Sequence, residues 1–210
     1  MIFNFTQKHQ FTTRLELNGD TLEVVPKTKL LGVIIQDDLK WDSNIASLVK
    51  RANARMVILR KLSEFCAPRE DMKTIYVSYI RSILEQSSVV WHKSLTLENQ
   101  EDLTRIQKSA CRIILKHKYT TYQKALEVLD LKDLSARREK LCKSFARKLS
   151  KNTNMLKLSD TSNTMNLRNQ NKFEVTHCNT ERLRMSSIPQ MQRSMKFIRK
   201  ISNISSPCHR

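Results

Sequence analysis

Apolar positions in this chain recur mostly at three- and four-residue spacing, the signature of helices that bury one face. The clearest stretch is LENQEDLTRIQKSACRIILK, residues 97–116. At 100° per residue, Leu103, Ile106, Gln107, Ala110, Ile113 and Ile114 share one side, while Arg105, Lys108, Arg112 and Lys116 share the other. The first face needs other helices to cover it. The second is a rod of positive charge about three turns long, a shape that suits a row of phosphates.

The same spacing predicts four more helices. One starts at Asp42, read as its N-cap, and runs to about Ser63 with Ile45, Leu48, Val49, Ala52, Met56 and Leu59 inward and Lys50 and Lys61 opposite. Pro68 suits the first position of the next, where Glu70 and Asp71 meet its positive end and Met72, Ile75, Tyr76, Tyr79, Ile80, Ile83 and Leu84 form a buried side. Beyond the Leu97 helix come a short one from about Thr121 to Leu129 and one from Asp133 to about Ser150. This last carries Leu134, Leu141, Cys142, Phe145 and Leu149 beside the basic Arg137, Arg138, Lys140, Lys143, Arg147 and Lys148.

Before residue 41 the pattern changes. Asn18-Gly19 between Thr13–Leu17 and Asp20–Val24 signals a two-residue hairpin in which Leu15 faces Leu22. Pro26 ends the second strand, and the apolar run Leu30 to Ile35 reads as a buried third strand. The expected fold is therefore mainly α, a helical domain preceded by a small β element, with an irregular basic tail.

Charge changes the functional picture. A basic face opposite a core face is ordinarily just solvated. A formal charge of +18 on 210 residues, however, points to a polyanionic partner, nucleic acid before membrane. There is no charged-then-apolar leader and no apolar run near about 18 residues, so the expected location is intracellular, nuclear or cytoplasmic, without secretion or a membrane partner. Five cysteines at irregular spacing read as free thiols. His177-Cys178 and Cys208-His209 have poor spacing for zinc, because adjacent residues rarely reach one tetrahedral ion together. No Gly-rich phosphate loop, nucleophile elbow or His-Glu-x-x-His is present. Trp41 and Trp91, beside helix boundaries, read as core plugs, His92 as a helix-end residue and His117 as one more surface base.

Five stretches, taken in order, carry a family resemblance: TKLLGVIIQDDLKWDSNI (28–45), YIRSILEQSSVVWHKSLT (79–96), the 97–116 helix with its RIQKSACRIIL, YQKALEVLDLKDLSARREKLCKSFARK (122–148) and KFEVTHCNTERLRMSSIP (172–189). Together they resemble the C-terminal part of reverse transcriptases from non-LTR retrotransposons of the jockey type. The resemblance implies that residues 1–40 correspond to the end of the palm, with Leu30, Leu31 and Gly32 similar to the primer-grip hairpin. Residues 41–150 would be a helical thumb-like domain, 151–171 a linker and 172–210 a basic, partly ordered tail.

In such enzymes the thumb tracks a template–primer duplex. The resemblance therefore makes Lys50, Arg51, Arg55, Arg105, Lys108, Arg112, Lys116, Arg137 and Arg138 candidate contacts to an RNA or DNA backbone, which position without reading sequence. It also implies that the carboxylates holding the divalent metal, such as magnesium, lie upstream of the matching region, so this chain is expected to bind no cofactor and not to polymerise alone. Asp37-Asp38 lacks the aromatic that precedes the family's catalytic pair and reads as turn acids, and Asn44 stands where the family has histidine. A second expectation is a helical interaction module, docking a polymerase core or another protein through the apolar faces of residues 72–84 and 30–35.

Overall fold

The computed structural model describes residues 16–21, 25–151, 177–186 and 188–193. The protein is mainly helical, and its described residues open on two β-hairpins: β1 (Glu16–Leu17) pairs with β2 (Asp20–Thr21), and β3 (Lys27–Leu30) pairs with β4 (Val33–Gln36). Both turns are Xaa-Gly pairs in which both residues have positive φ, 54° and 89° at Asn18-Gly19 and 48° and 85° at Leu31-Gly32. This is the hairpin turn whose twist matches its strands. The chain's two glycines therefore serve one purpose. The Leu15–Leu22 pairing lies outside the described residues.

The second hairpin corrects the reading of residues 30–35 as one buried strand. Leu30 pairs with Val33 across the turn. Leu31 is 93% exposed, and only Val33 of the run is buried. A near-continuous apolar run conceals a turn when the residue before the glycine is itself apolar, because periodicity then has no polar break to register. Asn44, on the first helix, accepts from the Ile34 amide at 3.1 Å, and Gln36 Oε1 accepts from the Ser43 amide at 2.9 Å, so two side-chain bonds tie β4 to the helix start.

Helix α1 (Asp42–Glu64) follows; Trp41, not the expected Asp42, occupies its N-cap position and makes no side-chain capping bond. Asp42 Oδ1 instead accepts from Asn99 Nδ2 at 2.7 Å. Helices α2 (Arg69–Ile75) and α3 (Arg81–Glu85) are continuous through a π-helical turn, Tyr76–Ile80. Then come α4 (Ser88–Trp91), a 3-10 turn His92–Ser94, α5 (Leu97–Leu115), a 3-10 turn Lys116–Lys118, α6 (Tyr122–Val128) and α7 (Leu134–Lys151). Helix α8 (Glu181–Met185) and a further helical stretch, 188–193, complete the described residues. Among these residues no helix is long and apolar enough to cross a membrane.

Helix α5 is the centre of the packing. It runs alongside α1 in the same direction: Asn99 meets Asp42 at their starts, and Ser63 Oγ reaches Ile113 O at 3.4 Å near their ends. Ile45, Leu48, Ala52, Met56 and Leu59 of α1 and Leu103, Ile106, Ala110, Cys111 and Ile114 of α5 join one core with Met72, Tyr76, Ile80, Ile83, Leu84 and Trp91. The 72–84 face is thus covered by the chain itself, and Tyr79, 40% exposed, is turned out of it. Trp91 is fully buried and donates its indole N–H to Gln86 O at 3.0 Å, which satisfies the one polar atom such a plug carries.

A buried amide orients the second half of the domain. Gln107 has no exposure; its Nε2 donates to Lys132 O at 3.0 Å, and its Oε1 accepts from the Leu134 amide at 2.9 Å. The Tyr122 hydroxyl lies 2.8 Å from that same Oε1 and 3.0 Å from Asp133 Oδ1, sharing its one proton between them. Asp133 Oδ2 in turn accepts from the Ser135 and Ala136 amides and so caps α7. One glutamine thereby fixes α6 and the start of α7 on α5.

Replacing Gln107 with leucine leaves the buried Leu134 amide without an acceptor and the Lys132 carbonyl without its donor, while the Tyr122 hydroxyl keeps Asp133. The expected loss is roughly 2–4 kcal/mol in urea unfolding. A change below about 0.5 kcal/mol would show the network to be replaceable by packing.

Candidate nucleic-acid interface

The outer face of α5 is laid out as the spacing implies. Thr96 caps the helix, accepting from the Asn99 amide at 3.2 Å, and Arg105, Lys108 and Arg112 emerge exposed, opposite the buried Leu103, Ile106, Gln107 and Ala110. Arg105 pairs with Asp102 at 2.9 Å, with its side chain 70% exposed. Such an exposed pair is weakly held and can be exchanged for a phosphate.

Lys108 and Arg112 lie over tyrosine rings supplied by the segment after the helix. Lys108 Nζ is 5.4 Å from the Tyr122 ring centroid, and the Arg112 guanidinium is 5.3 Å from that of Tyr119. These cation–π contacts hold long side chains in place without neutralising them.

Lys116 behaves differently. Helix α5 stops at Leu115, and Lys116 has φ 49° in the following turn. Its ammonium donates to Ser63 O at 2.6 Å, in the last turn of α1. It therefore caps a neighbouring helix at its negative end while remaining exposed.

On α1, Lys50 is exposed. Arg51 Nη2 donates to Gln86 Oε1 at 2.6 Å, and Arg55 donates to Tyr79 O at 2.7 Å with its guanidinium 4.0 Å from the Tyr79 ring centroid. These two arginines lean on the π-helical turn and α3. Gln86 also meets the hairpin, since a Cβ on Gly32 would stand 2.9 Å from Gln86 Nε2. Leu30, Leu31 and Gly32 thus form a hairpin tip beside the end of α3. Among the described residues no hydrogen bond, ion pair or ring contact joins the α1 cations to those of α5.

The α7 candidates are corrected. Arg138 is fully buried, and Arg137 is paired with Glu85, which also stands 3.5 Å from Arg81. Arg138 cannot meet a surface phosphate because it lies on the inner stripe Leu134, Arg138, Cys142, Ala146, every member of which is buried. Four-residue counting from Leu134 predicts this position; reading the Arg-Arg pair as one surface cluster does not. The exposed α7 cations are Lys140, Lys143, Arg147 and Lys148, whereas Phe145, which its hydrophobicity assigns to the inner side, is 41% exposed.

His92 stands at the end of α4, as its position after Trp91 implies, and is buried there. Its Nδ1 accepts from Arg138 Nε at 3.3 Å, and its Nε2 is 3.7 Å from Glu139. Burial, then the charges of Arg138 and Lys93, push its pKa down to about 4 against the pull of Glu139. Glu139, paired with Lys93 and Lys143, is held below its usual carboxylate range although burial alone would raise it.

Asp37 and Asp38 form a turn: Asp37 Oδ1 accepts from the Asp38 amide at 2.8 Å, and Asp38 Oδ1 from the Lys40 amide at 2.9 Å. Among the described residues no group of three or more His, Cys, Asp and Glu side chains is placed to hold a metal ion. Cys208 and His209 lie outside them. No protein-family model matches the chain, and neither a curated protein nor a solved structure matches it significantly.

The His92 geometry carries a pH prediction. Its folded pKa is depressed below the unfolded value near 6.5, so the unfolded state binds the proton first, and stability falls as pH drops from about 6.5 toward 4. The full loss is roughly 3 kcal/mol, and most of it should appear by pH 5 in urea unfolding. His92→Gln should flatten the curve between pH 6.5 and 5. Parallel curves for the two proteins would refute the assignment.

Proposed function

We propose that this chain is the gripping, non-catalytic C-terminal part of an RNA-directed DNA polymerase of the non-LTR retrotransposon kind, and that it holds a nucleic-acid duplex by its backbone. The observation that carries this reading is the outer face of α5, where Arg105, Lys108 and Arg112 stand exposed on the helix whose opposite face organises the core. The excess of 18 positive charges supports a polyanionic partner.

The rings of Tyr119 and Tyr122 each carry a cation over one face. The pairs therefore favour phosphate contact over base stacking, and binding indifferent to sequence. Lys50, Arg51, Arg55 and Lys116 belong to this reading as flanking contacts, and the exposed α7 cations replace Arg137 and Arg138. In this reading the metal-dependent chemistry belongs to a palm on another part of the polymerase, and the chain itself takes no cofactor.

The test is the salt dependence of duplex binding. The logarithm of the binding constant should fall linearly with the logarithm of salt. Changing Arg105, Lys108 and Arg112 to glutamine should reduce that slope by about 0.9 for each phosphate of B-form DNA that is no longer neutralised. An unchanged slope would make the stripe a solvated face.

A second reading is favoured by the hairpin tip. Leu31, 93% exposed, and Leu30, 54% exposed, are an apolar point on a polar surface and suit docking to a polymerase core. Leu31→Asp should abolish co-sedimentation with such a core while leaving duplex binding intact. Undiminished co-sedimentation would remove this reading.

A further inference from the structure

Phe65 is 81% exposed, the most exposed aromatic side chain among the described residues. A single apolar residue in water is ordinary and by itself points to no ligand. What distinguishes Phe65 is how firmly the chain holds it there. It occupies the C-cap of α1, and paired bonds close the helix around it: the Ala67 amide donates to Leu62 O at 3.0 Å and the Cys66 amide to Ser63 O at 3.2 Å. Cys66 takes the left-handed φ, 53°, that glycine normally supplies at such a stop. Leu62 and Ala67, on either side, pack against the core, so a fixed turn points Phe65 outward.

The same turn is tied to the end of the cationic stripe. Ser63 O also accepts from the Lys116 ammonium at 2.6 Å, and Ser63 Oγ donates to Ile113 O at 3.4 Å. These bonds fix the Phe65 turn against the end of α5, where Arg112, Lys116, His117 and Lys118 are all exposed. Glu64, the acid next to Phe65 in the chain, is paired with Lys61 at 2.9 Å and so presents no uncompensated negative charge. The rings of Tyr119 and Tyr122 each have a cation over one face, whereas among the described residues no cation lies over Phe65.

An open aromatic face beside cations that hold a backbone is the arrangement that binds unstacked bases, because every base has a π-face and stacking tolerates any sequence. We propose that Phe65 stacks on an unpaired nucleobase where a strand leaves the end of the duplex, so that the partner of this surface is a duplex with a single-stranded extension. Phe65 can act in this way only if α5 takes phosphates as proposed, and it adds where the duplex contact ends. The interior of an uninterrupted duplex offers the ring nothing, since its bases are stacked on one another.

Two RNA–DNA hybrids with overhangs of about four nucleotides test this, one carrying adenines and the other abasic residues with the same phosphates. Fluorescence anisotropy with the full chain should show the adenine overhang bound at least about 5-fold more tightly than the abasic one, in at least one overhang polarity. Phe65→Ala should bind the two equally, and Phe65→Trp should keep the difference. Phe65→Ala should also leave the slope of log binding constant against log salt unchanged, because it removes no phosphate contact, whereas changing Arg105, Lys108 and Arg112 to glutamine lowers that slope. Equal binding of the two overhangs by the wild-type chain in both polarities, or a preference that survives in Phe65→Ala, overturns the role of Phe65 and leaves the α5 contact standing. Failure to bind either hybrid at low salt overturns both. If Phe65→Ala does not fold, the wild-type comparison of adenine with abasic overhangs decides.

Discussion

The inner face of α5 is shared by α1, α2, α6 and α7, and Gln107 at its middle supplies what apolar packing lacks, namely direction. Leucine and isoleucine contacts tolerate sliding, but a carboxamide bonded to Lys132 O and the Leu134 amide has one position. That bond pattern sets where α7 begins, and Asp133 caps it from the same junction. Because α5 is held from the inside at this point, its outer face is also fixed. The cations at Arg105, Lys108 and Arg112 inherit a constant spacing from a helix that cannot rotate without breaking the amide network.

Where periodicity alone determines structure, the chain is directly legible. The helix expected from Asp42 to about Ser63 is Asp42–Glu64, and that expected from Asp133 to about Ser150 is Leu134–Lys151. The π-helical turn at Tyr76–Ile80 leaves no such mark, because the buried Met72, Tyr76, Ile80 and Ile83 keep three- and four-residue spacing through it. Tyr79, inward by simple counting, is 40% exposed and faces Arg55. The Leu31-Gly32 turn is obscured by its own hydrophobicity.

Arg138 and His92 escape a sequence reading for a different reason. Charged and titratable residues are assigned to the surface by their chemistry, and only contacts across the fold show when position overrides chemistry. Arg138 falls on the inner stripe of α7 and meets His92 from the turn after α4. The same logic separates two kinds of cation in this chain. Those on α5 are exposed and steadied by tyrosine rings or one weak ion pair, whereas Arg137 and Arg138 are part of the interior and its junctions. Arg137 and Arg138 therefore drop out of the charge the surface presents, while exposed cations remain on α1, α5 and α7.

The proposed contact with a nucleic-acid backbone is tested most directly by mapping where a duplex lies. Hydrogen exchange with mass spectrometry, with and without a short RNA–DNA hybrid, should show slowed exchange in the α5–α6 segment around Arg105 to Tyr122 and unchanged exchange in the interior junction of α7 around Arg138. Protection confined to other segments, or no protection at hybrid concentrations that saturate binding, would contradict the account.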